Sequence, residues 1–411
     1  MTEITRRQLL TGATLAAGHE LVMRSGTLRA TAHISNCYGA NIGPNMSASR
    51  VAYLAKCNLA IGGLWFDYNN RDNVLKTSAN IRRIREINPD FRLVDYTSAP
   101  DAPTTTKNLP ADAWLRYSDG AVVAGWPGSS MLNLANSDVV EWVAQHSIRH
   151  VRELGLDGVF LDSLDAEFDD WEINLFGKKR LNFQSNGRGK FNDFQWLSDT
   201  WRKAKLAIAK RVRDLIGSSA LLLANQPGKE TAPYLNGVLL EDWVDYFFNG
   251  KITFDQLLSD CNWWLSHSRT PAITTLSCSS GLVPPYNAWK LPAAEQSTLL
   301  TEGKSKLPRM RFGLAVALMV GSNYSYDLNT RWRGQHWWYP EYDVDLGKPS
   351  ASYSKRSDGV WQRRFARGLV LANPTGSTVD VYLPTVLRNV STGKSGSSFK
   401  IDANDGMILV S

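Results

Sequence analysis

Leu156-Asp-Gly-Val-Phe-Leu-Asp-Ser-Leu-Asp165 is a short apolar run that ends in carboxylates. Side chains alternate along a β-strand, so Gly158, Phe160 and Asp162 share one face while Val159 and Leu161 share the other. Asp162 is thereby delivered at the strand's C-terminal tip. Taken alone, the stretch reads equally well as an ordinary strand followed by a turn whose Asp caps the next element. The flanking segments break the tie. Before it, a helix over 138–154 sets Val140, Val143, Ser147, Val151 and Leu154 on one stripe and stops at Gly155. After it, a helix over 192–216 spaces Leu197, Trp201, Ala204, Ile208, Val212 and Leu215 by threes and fours before Gly217.

The same alternation extends in both directions. Strands are expected over 33–38, 59–66, 91–96, 220–225, 235–241, 272–277 and 323–327, with helices over 47–57, 79–87, 254–267 and 310–320 between them. Eight parallel units over roughly 300 residues predict an α/β fold, a (β/α)₈ TIM barrel, whose active sites lie at the strand C-termini. From about Tyr353 the chain turns to short β-rich runs, over 361–365, 368–373, 378–383 and 407–410, separated by Gly, Pro, Ser and Asn. The expected organisation is an export signal over 1–32, a catalytic barrel over 33–350 and a small C-terminal antiparallel β domain over 351–411. Two long loops, 99–130 and 163–190, would wall a cleft at the barrel mouth.

The chain has 411 residues, 43% hydrophobic and 21% charged, a globular composition large enough for one α/β domain and an appendage. Its formal charge is +7, spread along the sequence. An acidic polymer ranks behind a plain basic soluble protein as the explanation, and no nucleic-acid module is visible. Thr5-Arg-Arg-Gln-Leu-Leu10 followed by a weakly apolar stretch to Ala17 has the twin-arginine pattern, with Ala30-Thr-Ala32 as the candidate cut. This predicts export by the twin-arginine route to the periplasm or beyond, without membrane insertion. Cys37, Cys57, Cys261 and Cys278 show no metal or redox spacing and are expected as buried free thiols.

At the strand tips the sequence offers a ring of acids: Asp67, Asp95, Asp162, Glu241 and Asp327. Leu235-Asn-Gly-Val-Leu-Leu-Glu241 parallels the opening stretch, with Gly in the same place and an acid four residues on. Asp162 and Glu241 therefore share a strand phase on the fourth and sixth strands. Two such carboxylates suit glycoside hydrolysis, one attacking the anomeric carbon and the other donating a proton to the leaving oxygen. The bland reading of Glu241 is an ion pair with a loop Lys or Arg, and Asp242 is the rival acid. Asp67, Asp95 and Asn225 are expected to hold sugar hydroxyls, and Trp65, Tyr96, Trp243, Tyr326 and Trp337 to stack on sugar faces or pack the barrel rim. His146 and His150 have metal-binding spacing on a helix but no third ligand, and read as surface residues. No nucleophile elbow, Walker loop, dinucleotide fingerprint or Cys-x-x-Cys pair is present, so neither metal nor cofactor is expected.

These residues resemble a group of barrel enzymes, the hypothetical glycosyl hydrolase family numbered fifteen. The resemblance is carried by 156–162, by Arg311-Phe-Gly-Leu-Ala315, by Trp337-Trp-Tyr-Pro-Glu-Tyr-Asp-Val-Asp-Leu-Gly-Lys-Pro349 and by 363–375, and it covers the chain from about Ser35 onward. It implies a glycosidase with Asp162 in the position of the nucleophile of retaining α-glycosidases. Glu241 as acid/base rests on strand phase alone. The competing class is a non-catalytic carbohydrate-binding barrel. A structural envelope protein, with a filled apolar mouth, is the third.

Overall fold

In a computed structural model, residues 32–64, 66–165, 181–182 and 194–411 are described. The signal segment, most of the 163–190 loop and Trp65 lie outside the described residues.

Eight parallel strands form the expected barrel: β1 (Ser35–Cys37), β2 (Leu59–Gly62), β3 (Arg92–Ser98), β4 (Gly158–Asp162), β5 (Leu221–Asn225), β6 (Gly237–Leu240), β7 (Ile273–Ser279) and β8 (Asn323–Asp327). Each pairs with the next in parallel register. The circle closes where Ile34 bridges Tyr324 and the Tyr324 N–H donates to His33 O at 2.8 Å. Cys37, Leu59, Ile61, Val94, Phe160, Leu221, Leu223 and Leu239 fill the barrel interior. A larger apolar layer lies between the strands and the surrounding helices.

The matching glycines of the two acid-tipped strands have a shared cause. A Cβ on Gly158 would lie 1.9 Å from Leu221 O, and one on Gly237 1.5 Å from Ile273 O. Any larger residue would push the neighbouring strand away, so glycine at these positions sets the register that carries Asp162 and Glu241 to the mouth.

Helices α1 (Ala48–Leu54) and α2 (Arg71–Ile87) follow the first two strands. The helix expected over 138–154 is two helices, α3 (Ser137–Ser147) and α4 (Arg149–Leu154), broken at Ile148. That break turns His150 inward, where it is buried, contrary to its expected surface position. Next come α5 (Phe194–Ile216), α6 (Trp243–Phe248), α7 (Phe254–His267), α8 (Ala293–Ser305) and α9 (Leu307–Val320). All four cysteines are buried and free.

The C-terminal segment forms a separate six-stranded antiparallel sheet. Its strand Val379–Asn389 runs past Pro384, where a stop was expected, because the pairing shifts register between Tyr382 and Leu387 and spares the proline a ladder bond. The sheet docks on α9, where Arg311 pairs Asp405 with its Nε at 3.0 Å and a Cβ on Gly406 would lie 2.2 Å from Arg311 O.

Candidate active site

Asp162, Asn225 and Glu241 end, or directly follow, β4, β5 and β6, and the common phase of those strands turns all three into the barrel mouth. One side chain joins them. Asn225 Nδ2 lies 2.9 Å from Asp162 Oδ1 and 2.5 Å from Glu241 Oε2, so those two oxygens are no more than 5.4 Å apart. The amide oxygen could not take the nitrogen's place, since it would face two carboxylates. Asn225 Oδ1 is itself buried with no partner, an acceptor left over for a ligand hydroxyl.

Each acid has its own set of donors. Asp162 accepts the Tyr96 hydroxyl at 2.7 Å and the Ser163 N–H at 2.9 Å. Burial, and after it the negative charge of Glu241, pushes the Asp162 carboxyl up to about 6, although the three donors oppose the shift. Glu241 accepts the Tyr38 hydroxyl at 3.2 Å and meets Arg333 Nη2 at 2.7 Å through Oε1. Its backbone carbonyl accepts from Gln226 Nε2. Tyr38 and Tyr96 stand edge to face at 5.8 Å over Phe160, which forms the floor. Burial and the nearby carboxylates hold both phenols well above their usual range, so they act as neutral donors.

Arg333 is the hub of a second layer. Beyond Glu241 it meets Asp242 Oδ1 at 2.7 Å and Asp327 Oδ2 at 3.0 Å, and it lies 5.8 Å from the Tyr38 ring centre. Burial disfavours its charge, but three carboxylates outweigh that and hold it firmly protonated. Asp327 rises to about 7, mainly through burial, despite the guanidinium beside it. The ion pair expected as the bland alternative for Glu241 is thus present, within an acid cluster that also contains Asp162. Asp242 belongs to Arg333 and turns off the strand line with φ 58°. Tyr38, Ser163 and Gln226 also take left-handed conformations just past their strand tips, with φ 61°, 54° and 38°. Such backbone is held against local preference and clusters at functional sites.

Nothing in the local sequence marks Arg333. It is brought in by the loop after β8, whose Gly334 packs on Gly39 so closely that a Cβ on Gly334 would lie 2.2 Å from Gly39 Cα. Two glycines 295 positions apart, at 39 and 334, seat that loop against the first strand.

The other expected positions are dispersed. Asp95 faces outward from β3, buried, and bonds His150 Nδ1 at 2.7 Å in an adjoining cavity. Asp67 lies on an exposed turn before α2 and accepts its own loop's Asn69 N–H at 3.0 Å. Trp243 opens α6 and donates to Asp260 at 2.9 Å. Tyr326 points at the helices, donating to Gly303 O at 3.1 Å, and Trp337 packs beside it at 5.7 Å. These last four belong to turns and packing, not to the acid cluster. Among the described residues no group of three His, Cys, Asp or Glu side chains is arranged to hold a metal ion, and no helix is long and apolar enough to cross a membrane.

A TIM barrel with paired carboxylates at its C-terminal mouth is an architecture that glycosidases use. The family model described as hypothetical glycosyl hydrolase family 15 matches residues 87–369, and the chain belongs to that family. It is a glycosidase, acting on glycosidic bonds. Among solved structures it is similar to a maltogenic α-amylase from Thermotoga neapolitana, with TM-score 0.51 and 10% identity over 93% of this chain and 98% of that one. The pullulanase of Anoxybacillus sp. LM18-11, complexed with maltotriose, gives TM-score 0.52 and 8% identity over 93% and 70%. The α-amylase of Geobacillus thermoleovorans, complexed with acarbose, gives 0.50 and 10% over 92% and 97%. At these identities the likeness is one of fold. No curated protein sequence matches the chain.

Proposed function

We propose that the protein hydrolyses a poly- or oligosaccharide outside the cytoplasm by a retaining mechanism, with Asp162 as nucleophile and Glu241 as general acid/base. The observation that carries this is the shared amide of Asn225. It keeps facing oxygens of the two acids no more than 5.4 Å apart, which favours the close pairing of about 5 to 5.5 Å used in retention over the roughly 6.5 to 9.5 Å that inversion needs for a water. Three donors on Asp162 favour its ionised form, which an attacking carboxylate needs. Asn225 Oδ1 would accept a sugar hydroxyl beside the reacting carbon.

The test is a panel of soluble polysaccharides assayed for new reducing ends, with the anomer of the first product followed by proton NMR before mutarotation. Retention is expected. Inversion would transfer one carboxylate to the role of general base.

Export rests on the Thr5–Leu10 pattern. N-terminal sequencing of protein from the culture fluid or periplasm is expected to start near residue 33, and an uncut cytosolic product would overturn it.

A further inference from the structure

Beside the acid pair lies a cavity of about 540 Å³, within the range of roughly 300 to 1,000 Å³ that encloses small-molecule ligands. Tyr38 and Tyr96 line it as well as bonding Glu241 and Asp162, so the cavity lies against the two phenols that hold the acid pair. Its far wall carries Trp126, 52% exposed, and Trp142, which stacks on His146 at 4.5 Å. A half-exposed indole at a mainly apolar cavity with a few polar groups offers a flat face suited to a sugar ring.

The polar lining selects against anions. Arg149 donates from Nε to His150 Nε2 at 2.7 Å and lies 2.8 Å from His146 Nδ1. With Nε2 accepting from Arg149, His150 donates its Nδ1–H to Asp95, so the guanidinium is linked through the imidazole to a buried carboxylate. Asp101, 6% exposed, is bonded by the Ser98 and Ser129 hydroxyls and the Trp126 N–H, and among the described residues no cation lies within ion-pair reach of it. The lone pair that remains accepts a hydroxyl and repels carboxylates. Asp162 lies next door, as do Glu241, Asp242 and Asp327, which share Arg333 as their cation. The mouth is thus acidic in a chain whose formal charge is +7.

We infer that this cavity is a chain-binding subsite for a glycan free of carboxylate, sulfate and phosphate groups, with Trp126 and Trp142 as its platforms and Asp101 as its hydroxyl acceptor. It rests on the reading of Asp162 and Glu241 as the catalytic pair and names what that pair's substrate carries. The net basic charge of the chain does not select the substrate.

The experiment is affinity gel electrophoresis of the full chain carrying Asp162→Asn, with starch, pullulan, galactomannan and xyloglucan as neutral probes and alginate and polygalacturonate as anionic ones. Retardation by a neutral glycan is expected, weakened at least about tenfold in Kd by Trp126→Ala or Asp101→Asn and restored by Trp126→Phe. The inference falls if no neutral glycan retards the protein. It also falls if retardation is indifferent to both variants, or if these variants abolish binding of an anionic glycan. Wild-type protein on the bound glycan separates the two readings. Binding that depends on Trp126 without hydrolysis removes the catalytic assignment and leaves the subsite, whereas hydrolysis with binding indifferent to Trp126 does the reverse.

Discussion

Asp162→Asn is expected to lower kcat/KM by roughly four orders of magnitude or more while raising the melting temperature at pH 7. The loss follows from removing the attacking oxygen's charge, and the same asparagine keeps the volume and the contacts to Tyr96 and Asn225. The gain follows from linkage. The carboxyl sits near 6 in the folded chain against 3.8 for an unperturbed group, chiefly because burial disfavours its ionised form and Glu241 adds a second negative charge. The folded state therefore holds this proton more tightly than the unfolded state. The stability it contributes is complete below about pH 4 and is lost as pH rises through 6. Asparagine never ionises, so the variant's advantage over wild type should be present at pH 7 and vanish below pH 4 in scanning calorimetry. A melting temperature at pH 7 below that of wild type would show that the three donors outweigh burial. Wild-type turnover would remove Asp162 from the mechanism. Glu241→Gln separates the roles, because a nitrophenyl glycoside releases a leaving group that needs no proton. Formation of the glycosyl-enzyme from that substrate should survive Glu241→Gln and fail in Asp162→Asn.

The parts of this site legible in the sequence are those governed by local periodicity. Asp162, Asn225 and Glu241 share an inward phase because a strand repeats every two residues, and Gly158 and Gly237 announce where neighbouring backbones approach. The same period explains which expected positions stand apart from the acid cluster. Val94 and Tyr96 face the barrel interior, so Asp95 between them has to face the helices. On β8, Asp327 turns inward to Arg333, which sends Tyr326 outward to Gly303. A carboxylate and an aromatic next to one another on one strand face opposite sides of the sheet, so only one of them can point into the barrel. The boundaries of α3 and α4, and with them the burial of His150, depend on a break that no proline or glycine signals. Arg333 and Asp101 were beyond reach for a different reason. Arg333 sits in a loop and Asp101 in a short strand within a long connection, and their positions follow from contacts distant in sequence: Gly334 on Gly39, and residues 101–103 paired with 129–131.

Arg333→Gln is expected to lower kcat/KM by roughly one to three orders of magnitude. Arg333 fixes Glu241 through Oε1 at 2.7 Å, which leaves Oε2 to meet Asn225 beside Asp162. Around Glu241 stand Tyr38 from β1, Asp162 and Tyr96 across the mouth, and Asn225 and Gln226 from β5. Asp242 and Asp327 face it beside Arg333, with Asp245 and its partner Arg309 behind them. Arg333 is the cation that touches Glu241 in this group, and it is shared. Asp242 and Asp327 meet the same guanidinium, so its position does not depend on Glu241 alone. With glutamine at 333 three carboxylates lose their shared cation, and Asp327, which burial already raises to about 7, is pushed further up because the guanidinium's opposing pull is gone. Arg333→Lys keeps the charge and should recover most of the activity, which distinguishes an electrostatic effect from a collapsed loop. Wild-type kcat/KM in Arg333→Gln would remove Arg333 from the positioning of Glu241.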